Sequence, residues 1–333
     1  MDFSELDYQA KVRDSLNKIL TDKCSQDELK NFDDGFKHDD ALLSLLAENG
    51  YLGLGINEKF GGSGEDLYDL GILFERLGYF AAPLSLTGCL VDVAQTIQKF
   101  SEAETHRSIL KSIVKGKIYT SAILEPNNQD PEHPITKAKF NGDKILVNGV
   151  KYLSEIASVA KSILVSVSSD EGVLLVLIDK DKVKLTPLAS TANSPIFKVE
   201  INDVTLDQSS IIHEKGRGLE ALRYLLQINM VMRSYIALGV AEKMTALIAS
   251  YTSEREQFGR VIGTFQAVSH RAADCFIELE CLRLVNQQAS VNLNTNHDCE
   301  NDALISKIWA GNACHKISYS AQHLHGGTGV DKD

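Results

Sequence analysis

The chain has 333 residues, 44% of them hydrophobic and 24% charged, with 45 acidic against 34 basic side chains and a net charge of −11. That length exceeds the roughly 250–300 residues that one core holds, and that composition excludes a disordered or collagen-like chain. The acidic balance repels phosphate backbones and argues against nucleic acid as a partner. The first stretch, MDFSELDYQAKVRD, is polar and lacks the apolar core of a signal peptide. Leu16, Ile19 and Leu20 then fall on one helical face, as do Leu42, Leu43, Leu45 and Leu46, and again Leu67, Leu70, Leu73, Phe74 and Leu77. Between the last two helices, Gly53-Leu54-Gly55-Ile56 and Gly61-Gly62-Ser63-Gly64 read as a loop whose glycines suit positive φ. A further helix covers Ile109, Leu110, Ile113 and Val114 and ends before Gly116.

The character changes at about Ile118. Asn141-Gly142 between two extended stretches is a hairpin signal, and Asn148-Gly149 predicts another turn. Residues 162–168 and 173–179 are rich in β-branched side chains and separated by Asp170-Glu171-Gly172, and residues 197–206 alternate. The middle third therefore reads as antiparallel β, closing at about His213. The last third returns to helix: residues 219–251 without a proline, an interruption at 255–263, then about 266–292 and 302–323. Long helices of this kind suggest an antiparallel bundle. The cysteines, Cys24, Cys89, Cys275, Cys281, Cys299 and Cys314, form no CxxC pair, which points to a reduced, cytoplasmic protein and away from a zinc site. The apolar runs, such as residues 173–178, fall far short of the roughly 20 needed to span a bilayer, so no membrane association is expected.

A few residues carry candidate chemistry. Arg255 is a permanent cation with a planar fork that suits pyrophosphate oxygens, although an arginine between helices is usually a surface ion-pair partner. Phe258 alone would be core filling, and Gln266 a polar residue at a helix start. Gly326 and Gly327 permit close backbone approach to a ligand, or simply cap a helix. His323 can donate to phosphate or adenine, or cap and pack.

Three strings place these residues: LGLGINEKFGGSGEDLYDLGILFERLG from Leu52, REQFGRVIGTFQAVSHRAAD from Arg255, and LHGGTGV from Leu324. In order and spacing they resemble the acyl-CoA dehydrogenase family, flavoenzymes that oxidise the Cα–Cβ bond of acyl-CoA thioesters. The resemblance implies a multidomain α and β fold. An N-terminal helical domain would span 1–117, a middle antiparallel β-barrel domain 118–214, and a C-terminal helical bundle 215–333. It implies FAD as cofactor and no metal. Arg255 would reach an FAD held mainly by a neighbouring subunit, and Phe258, Gln266, His323, Gly326 and Gly327 would line the same cofactor.

The departures from the family pattern are informative. Where members usually carry Thr-Glu-Pro…Gly-Ser-Asp, this chain has Leu124-Glu125-Pro126-Asn127-Asn128-Gln129-Asp130, without the threonine and the serine. Where a Gly-x-Lys-x-Trp-Ile-Thr-Asn string would pack against the flavin ring, it has Gly149-Val150-Lys151-Tyr152-Leu153-Ser154-Glu155-Ile156. Leu153 replaces the Trp, and the carboxylate of Glu155 would repel electron density on a reduced flavin. The base that takes the α-proton lies in one family branch 26 residues before the arginine of the REQFG-type string. Here that residue is Asn229, an amide that cannot serve, followed by Met230. The other family position lies beyond the Gly-Gly string. The chain ends at Asp333, six residues after Gly327, so the last helical segment looks truncated.

The half of the flavin site lent to a neighbour is thus kept, and the half that would hold the ring and do the chemistry is eroded. This resembles the non-catalytic subunit of the heteromeric (α2β2) acyl-CoA dehydrogenases of steroid side-chain breakdown. It implies a related sister subunit as partner, acyl-CoA bound at that partner's site, and electron-transfer flavoprotein as acceptor. Two alternatives remain open: an ordinary homotetrameric acyl-CoA dehydrogenase with its glutamate beyond residue 333, and a flavin-free structural relative.

Overall fold

The computed structural model describes residues 5–30, 32, 38–64, 66–191, 194–295 and 299–331. Helix formation follows the apolar spacing. In α1 (Asp7–Lys23) Leu16 and Leu20 are buried and Ile19 is half-buried. A short α2 (Gln26–Lys30) precedes α3 (Asp40–Glu48), where the Asp39 carboxylate caps the helix by accepting from the amides of Ala41 and Leu42. The glycine-rich loop is packed tightly: a Cβ on Gly62 would lie 1.9 Å from the Ile56 carbonyl oxygen. In α4 (Leu67–Tyr79) nearly every residue is buried. A π-helical turn over Thr87–Val93 feeds α5 (Ala94–Phe100), and α6 (Glu104–Val114) completes this stretch.

Seven strands follow: β1 (Thr120–Ala122), β2 (Lys137–Asn141), β3 (Lys144–Glu155), β4 (Ser162–Ser169), β5 (Gly172–Asp179), β6 (Lys184–Leu188) and β7 (Ile196–Asp207). They form one curled sheet in the order β1-β4-β2-β3-β7-β6, with β5 on β4. The β2–β3, β3–β7, β4–β5 and β6–β7 pairs are antiparallel, as the sequence suggests. The β1–β4 pair and the short β2–β4 contact are parallel, so the sheet is mixed and forms a half-barrel. Parallel neighbours are joined by long crossovers, which leave no local turn signal to read. Asn141-Gly142 does begin the β2–β3 hairpin. Asn148-Gly149 is not a turn: it lies inside β3 at a register shift. There Asn148 bonds to Asp203 across the ladder, and a Cβ on Gly149 would fall 2.5 Å from Thr136 Oγ1.

The last stretch holds α7 (Gly218–Glu254), a small hairpin of β8 (Glu256–Gln257) and β9 (Arg260–Val261), α8 (Gln266–Asn294) and α9 (Glu300–His325). By packing, the chain divides into two compact units, one of Met1–Cys24, Leu67–Ala82 and Met230–Asp333, the other of Ser25–Asp66 and Pro83–Asn229. Within the first, α4 and α7 approach so closely that a Cβ on Gly239 would sit 1.8 Å from the Glu75 carbonyl oxygen. Glu75, 1% exposed, bonds there to Arg13 at 2.9 Å, Arg76 at 2.8 Å and Arg283 at 2.9 Å, while Glu242 takes Arg76 and, at 3.5 Å, Arg283. Burial would raise the Glu75 carboxyl, but the three guanidiniums outweigh it and hold it at about 2. Within the second unit, Ile145, Val147, Ile163, Val165, Val176 and Val199 fill the interior of the sheet. Among the described residues, no helix is long and apolar enough to cross a membrane.

Candidate functional site

The Arg255 string begins where α7 ends. The Arg255 amide closes the helix onto Tyr251 at 2.9 Å, and its carbonyl receives Ile262 N–H at 2.8 Å, which fixes the base of the β8–β9 hairpin. The tip is Phe258-Gly259, both at positive φ (56° and 76°). Such a two-residue turn matches strand twist but strains a residue with a side chain. Phe258 nevertheless stands there 92% exposed, touching the edge of Phe265 at a centroid distance of 6.2 Å. Arg260 stacks over the other ring of that pair, 4.0 Å from the Phe265 centroid. Arg255 is exposed and, among the described residues, makes no ion pair.

Gln266 opens α8 and is exposed. His323, in the last turn of α9, is exposed too, with its ring stacked at 28° against Tyr319. Gly326 caps α9 at φ 61°, its N–H turned to the His323 carbonyl. A Cβ on Gly326 or Gly327 would meet nothing within 4 Å. The cap therefore needs positive φ at Gly326, but among the described residues no packing requires the bare backbone of Gly327. Tyr251 joins the two strings. Its ring stacks on His325 at 4.4 Å, and its hydroxyl reaches the His325 carbonyl at 3.4 Å and Thr328 Oγ1 at 3.3 Å. Tyr251, one turn before Arg255 on α7, thus packs against the end of α9 that carries His323, Gly326 and Gly327. An unpaired guanidinium, an exposed phenyl and an open glycine backbone fit a phosphate-bearing, aromatic cofactor such as FAD.

The eroded strings look different. Glu125 is buried and accepts from Lys151 Nζ at 2.8 Å, the amides of Ile135 and Thr136 at 2.7 Å each, and Asn128 Nδ2 at 2.8 Å. Lys151, 0% exposed, also reaches Ser166 Oγ at 3.0 Å and the Ile123 carbonyl at 3.2 Å. Burial would raise the Glu125 carboxyl, but these donors hold it at about 2; burial brings the Lys151 ammonium down to about 8 against the pull of Glu125. The pair is ionised at neutral pH and fully engaged. Leu153 sits at φ 57° in a bulge of β3, half exposed, with Leu124 half exposed nearby through the Tyr152 N–H to Leu124 carbonyl bond at 2.8 Å. The Glu155 carboxylate accepts from Thr87 Oγ1 at 2.7 Å.

Asn229 is also engaged. Its Nδ2 donates to Asp92 Oδ1 at 2.7 Å, and Ser121 Oγ donates to Asp92 Oδ2 at 2.5 Å. Asp92 is 3% exposed and lies in the π-helical turn, a geometry common at functional sites. Neither Asp92 nor Ser121 belongs to a recognisable motif. The available signal was a lone carboxylate within the apolar run Cys89-Leu90-Val91-Asp92-Val93-Ala94, which burial makes costly unless it finds donors.

A helical, sheet and helical chain with these strings defines a class of flavin-dependent oxidoreductases, and comparison with known proteins agrees. Models of the acyl-CoA dehydrogenase N-terminal and C-terminal domains match residues 7–117 and 216–333. Acyl-CoA dehydrogenase FadE27 of Mycobacterium tuberculosis is 28% identical over all of this chain and 90% of its own length. The Tcur3481-Tcur3483 steroid ACAD (G363A variant) is 31% identical and superposes over 98% of this chain and 88% of that one, with a TM-score of 0.90. The ChsE4-ChsE5 complex of M. tuberculosis is 26% identical over 99% and 90%, with a TM-score of 0.91. The chain belongs to the acyl-CoA dehydrogenase family, whose members are FAD-dependent oxidoreductases.

Proposed function

We propose that this chain is the non-catalytic subunit of a cytoplasmic, heteromeric acyl-CoA dehydrogenase acting on acyl-CoA thioesters of the steroid side-chain type. It lends Arg255, Phe258, Gln266, His323, Gly326 and Gly327 to an FAD bound mainly by a sister chain. The observation that carries the reading is the contrast at the two kinds of motif residue. All six lent residues are exposed, whereas the residue at the base position is an amide bound to the carboxylate of Asp92. An amide held this way cannot take the α-proton, and in this reading the sister chain supplies the glutamate. Two structural relatives, a steroid ACAD and the ChsE4-ChsE5 complex, are by their names products of paired chains, which supports the reading.

Within this arrangement Arg255 would pair with pyrophosphate oxygens, Phe258 would cover the nucleotide, and the bare backbone at Gly326-Gly327 would let it approach. FAD, when bound, supplies the acceptor for the hydride leaving the β-carbon, and electron-transfer flavoprotein would take the electrons on. The sister chain would seat on the exposed apolar side chains of α8 and α9, Phe276, Ile277, Leu284, Leu304, Ile305 and Ile308. The test is co-expression with an acyl-CoA dehydrogenase-type chain that carries the helix glutamate. Arg255→Ala should lower the flavin retained by the purified complex while leaving the complex assembled. Unchanged flavin content would contradict the reading and favour a structural role.

A further inference from the structure

A groove between α6 and the ends of β4, β5 and β7 is lined by none of the six lent residues. It lies wholly within the unit of Ser25–Asp66 and Pro83–Asn229. Its volume is about 370 Å³, in the range of small-molecule sites.

Two of its walls carry hydroxyls. On α6, Thr105, Ser108 and Ser112 recur at the spacing that puts them on one helical face. A helix laid on a sheet normally turns apolar side chains inward, and here the stripe is polar. Ser108 Oγ donates to the Thr105 carbonyl at 2.7 Å, and Ser112 Oγ to the Ile109 carbonyl at 2.8 Å. Their hydrogens are committed to the helix, which leaves their oxygens to accept. Opposite them, the turn after β7 brings Ser209 and Ser210 to the groove. His106, 6% exposed, pins that turn. Its Nε2 donates to the Ser209 carbonyl at 2.7 Å, and its Nδ1 accepts from Ser101 Oγ at 2.8 Å. Burial pushes the imidazole below its ordinary value, so at neutral pH it is a neutral strut. Among the described residues, the side-chain hydroxyls of Thr105, Ser209 and Ser210 have no partner.

The third wall is charged. Lys161 is fixed at its backbone, where its N–H donates to the Ile118 carbonyl at 2.8 Å and its carbonyl accepts from Lys180 N–H at 3.2 Å. Its ammonium has no acceptor among the described residues. Lys182 reaches Asp179 only at 4.0 Å, and Asp179 already accepts from Ser162 Oγ at 2.9 Å. Two ammonium groups against one engaged carboxylate make the groove locally positive in a chain of net charge −11. An anion is favoured there, and lysine binds phosphate as a point charge. Hydroxyls that donate and hydroxyls that accept, side by side, match a ligand with hydroxyls of its own. A metal does not fit: among the described residues, no group of three or more His, Cys, Asp and Glu side chains could hold one.

We propose that the α6–sheet groove binds a small hydroxylated phosphomonoester, of the size of glycerol 3-phosphate. Lys161 and Lys182 hold the phosphate, Ser209 and Ser210 donate to its oxygens, and Thr105, Ser108 and Ser112 bond the ligand's hydroxyls. Flavin lending plays no part in this site.

The experiment titrates glycerol 3-phosphate and, separately, inorganic phosphate into the full chain by calorimetry in a phosphate-free buffer. The expected result is saturable binding of both, with glycerol 3-phosphate the tighter. Lys161→Ala should weaken both at least tenfold, and Lys161→Arg should retain most of the affinity. Thr105→Ala should weaken glycerol 3-phosphate and leave inorganic phosphate unchanged. Absence of saturable glycerol 3-phosphate binding, or binding indifferent to Lys161→Ala, overturns the proposal. Equal affinity for the two probes, lost together in Lys161→Ala, assigns the groove to inorganic phosphate and overturns the hydroxylated ligand. Lys161 and Thr105 are exposed, so equal thermal midpoints for the variants are expected and exclude misfolding as the cause.

Discussion

The hairpin and α9 end around Arg255, and the strand segments around Lys151, descend from two parts of one family's cofactor motifs, yet they have opposite characters. In the first, the functional side chains are exposed, and the backbone is strained at Phe258 to keep a phenyl in solvent. In the second, the polar groups have partners inside the chain: Glu125 has four donors, Lys151 three acceptors, Glu155 has Thr87, and the neutral amide of Asn229 has Asp92. A region kept for its own stability satisfies its polar groups. A region kept for a partner leaves them open and bears the strain.

The largest effect should come from breaking the closed region. Glu125→Ala leaves the Lys151 ammonium buried without its carboxylate and should cost about 3–5 kcal/mol of stability, read as a fall in chemical-denaturation midpoint. A loss below about 1 kcal/mol would mean the pair is not the closed network described. Acid should attack the same network. Glu75 and Glu125 are both held at about 2, below their ordinary value near 4.5. Their contribution is therefore present above pH 4.5 and is lost as pH falls toward 2. The thermal midpoint should drop through that window, and Glu125→Gln, already destabilised, should drop less.

The open region should respond in the opposite way. Arg255→Ala should leave folding stability within about 0.5 kcal/mol, because the side chain is exposed and unpaired. The same change should weaken flavin binding in the complex by about 1.5–3 kcal/mol, the worth of a charge-assisted hydrogen bond. Phe258→Gly should show the smallest effect and the most telling sign. Relief of the left-handed backbone should stabilise the chain by about 1 kcal/mol in a thermal melt. Flavin retention should fall at the same time.

Much of this fold was legible because helix and strand periods are local. The long helices near 219–251, 266–292 and 302–323 emerge within a few residues as α7, α8 and α9, since each keeps its spacing over many turns. The Asn141-Gly142 hairpin was legible for the same reason. Asn148-Gly149 was misread because a bulge and a turn use the same two residues, and only the Thr136 side chain across the ladder decides between them. The parallel β1–β4 pairing depends on partners far apart in sequence. At the site, the strings around Arg255 and Gly326 were legible by resemblance. The link through Tyr251 and the commitment of Asn229 to Asp92 were not, because 74 and 137 residues separate those partners.

The most direct measurement is flavin per chain, by absorbance of the protein purified alone and of the protein co-purified with a sister chain bearing the helix glutamate. The chain alone should retain little flavin and no desaturase activity, and the mixed complex should hold flavin and turn over. Full flavin occupancy with activity in the isolated chain would contradict the division of labour proposed for the two regions.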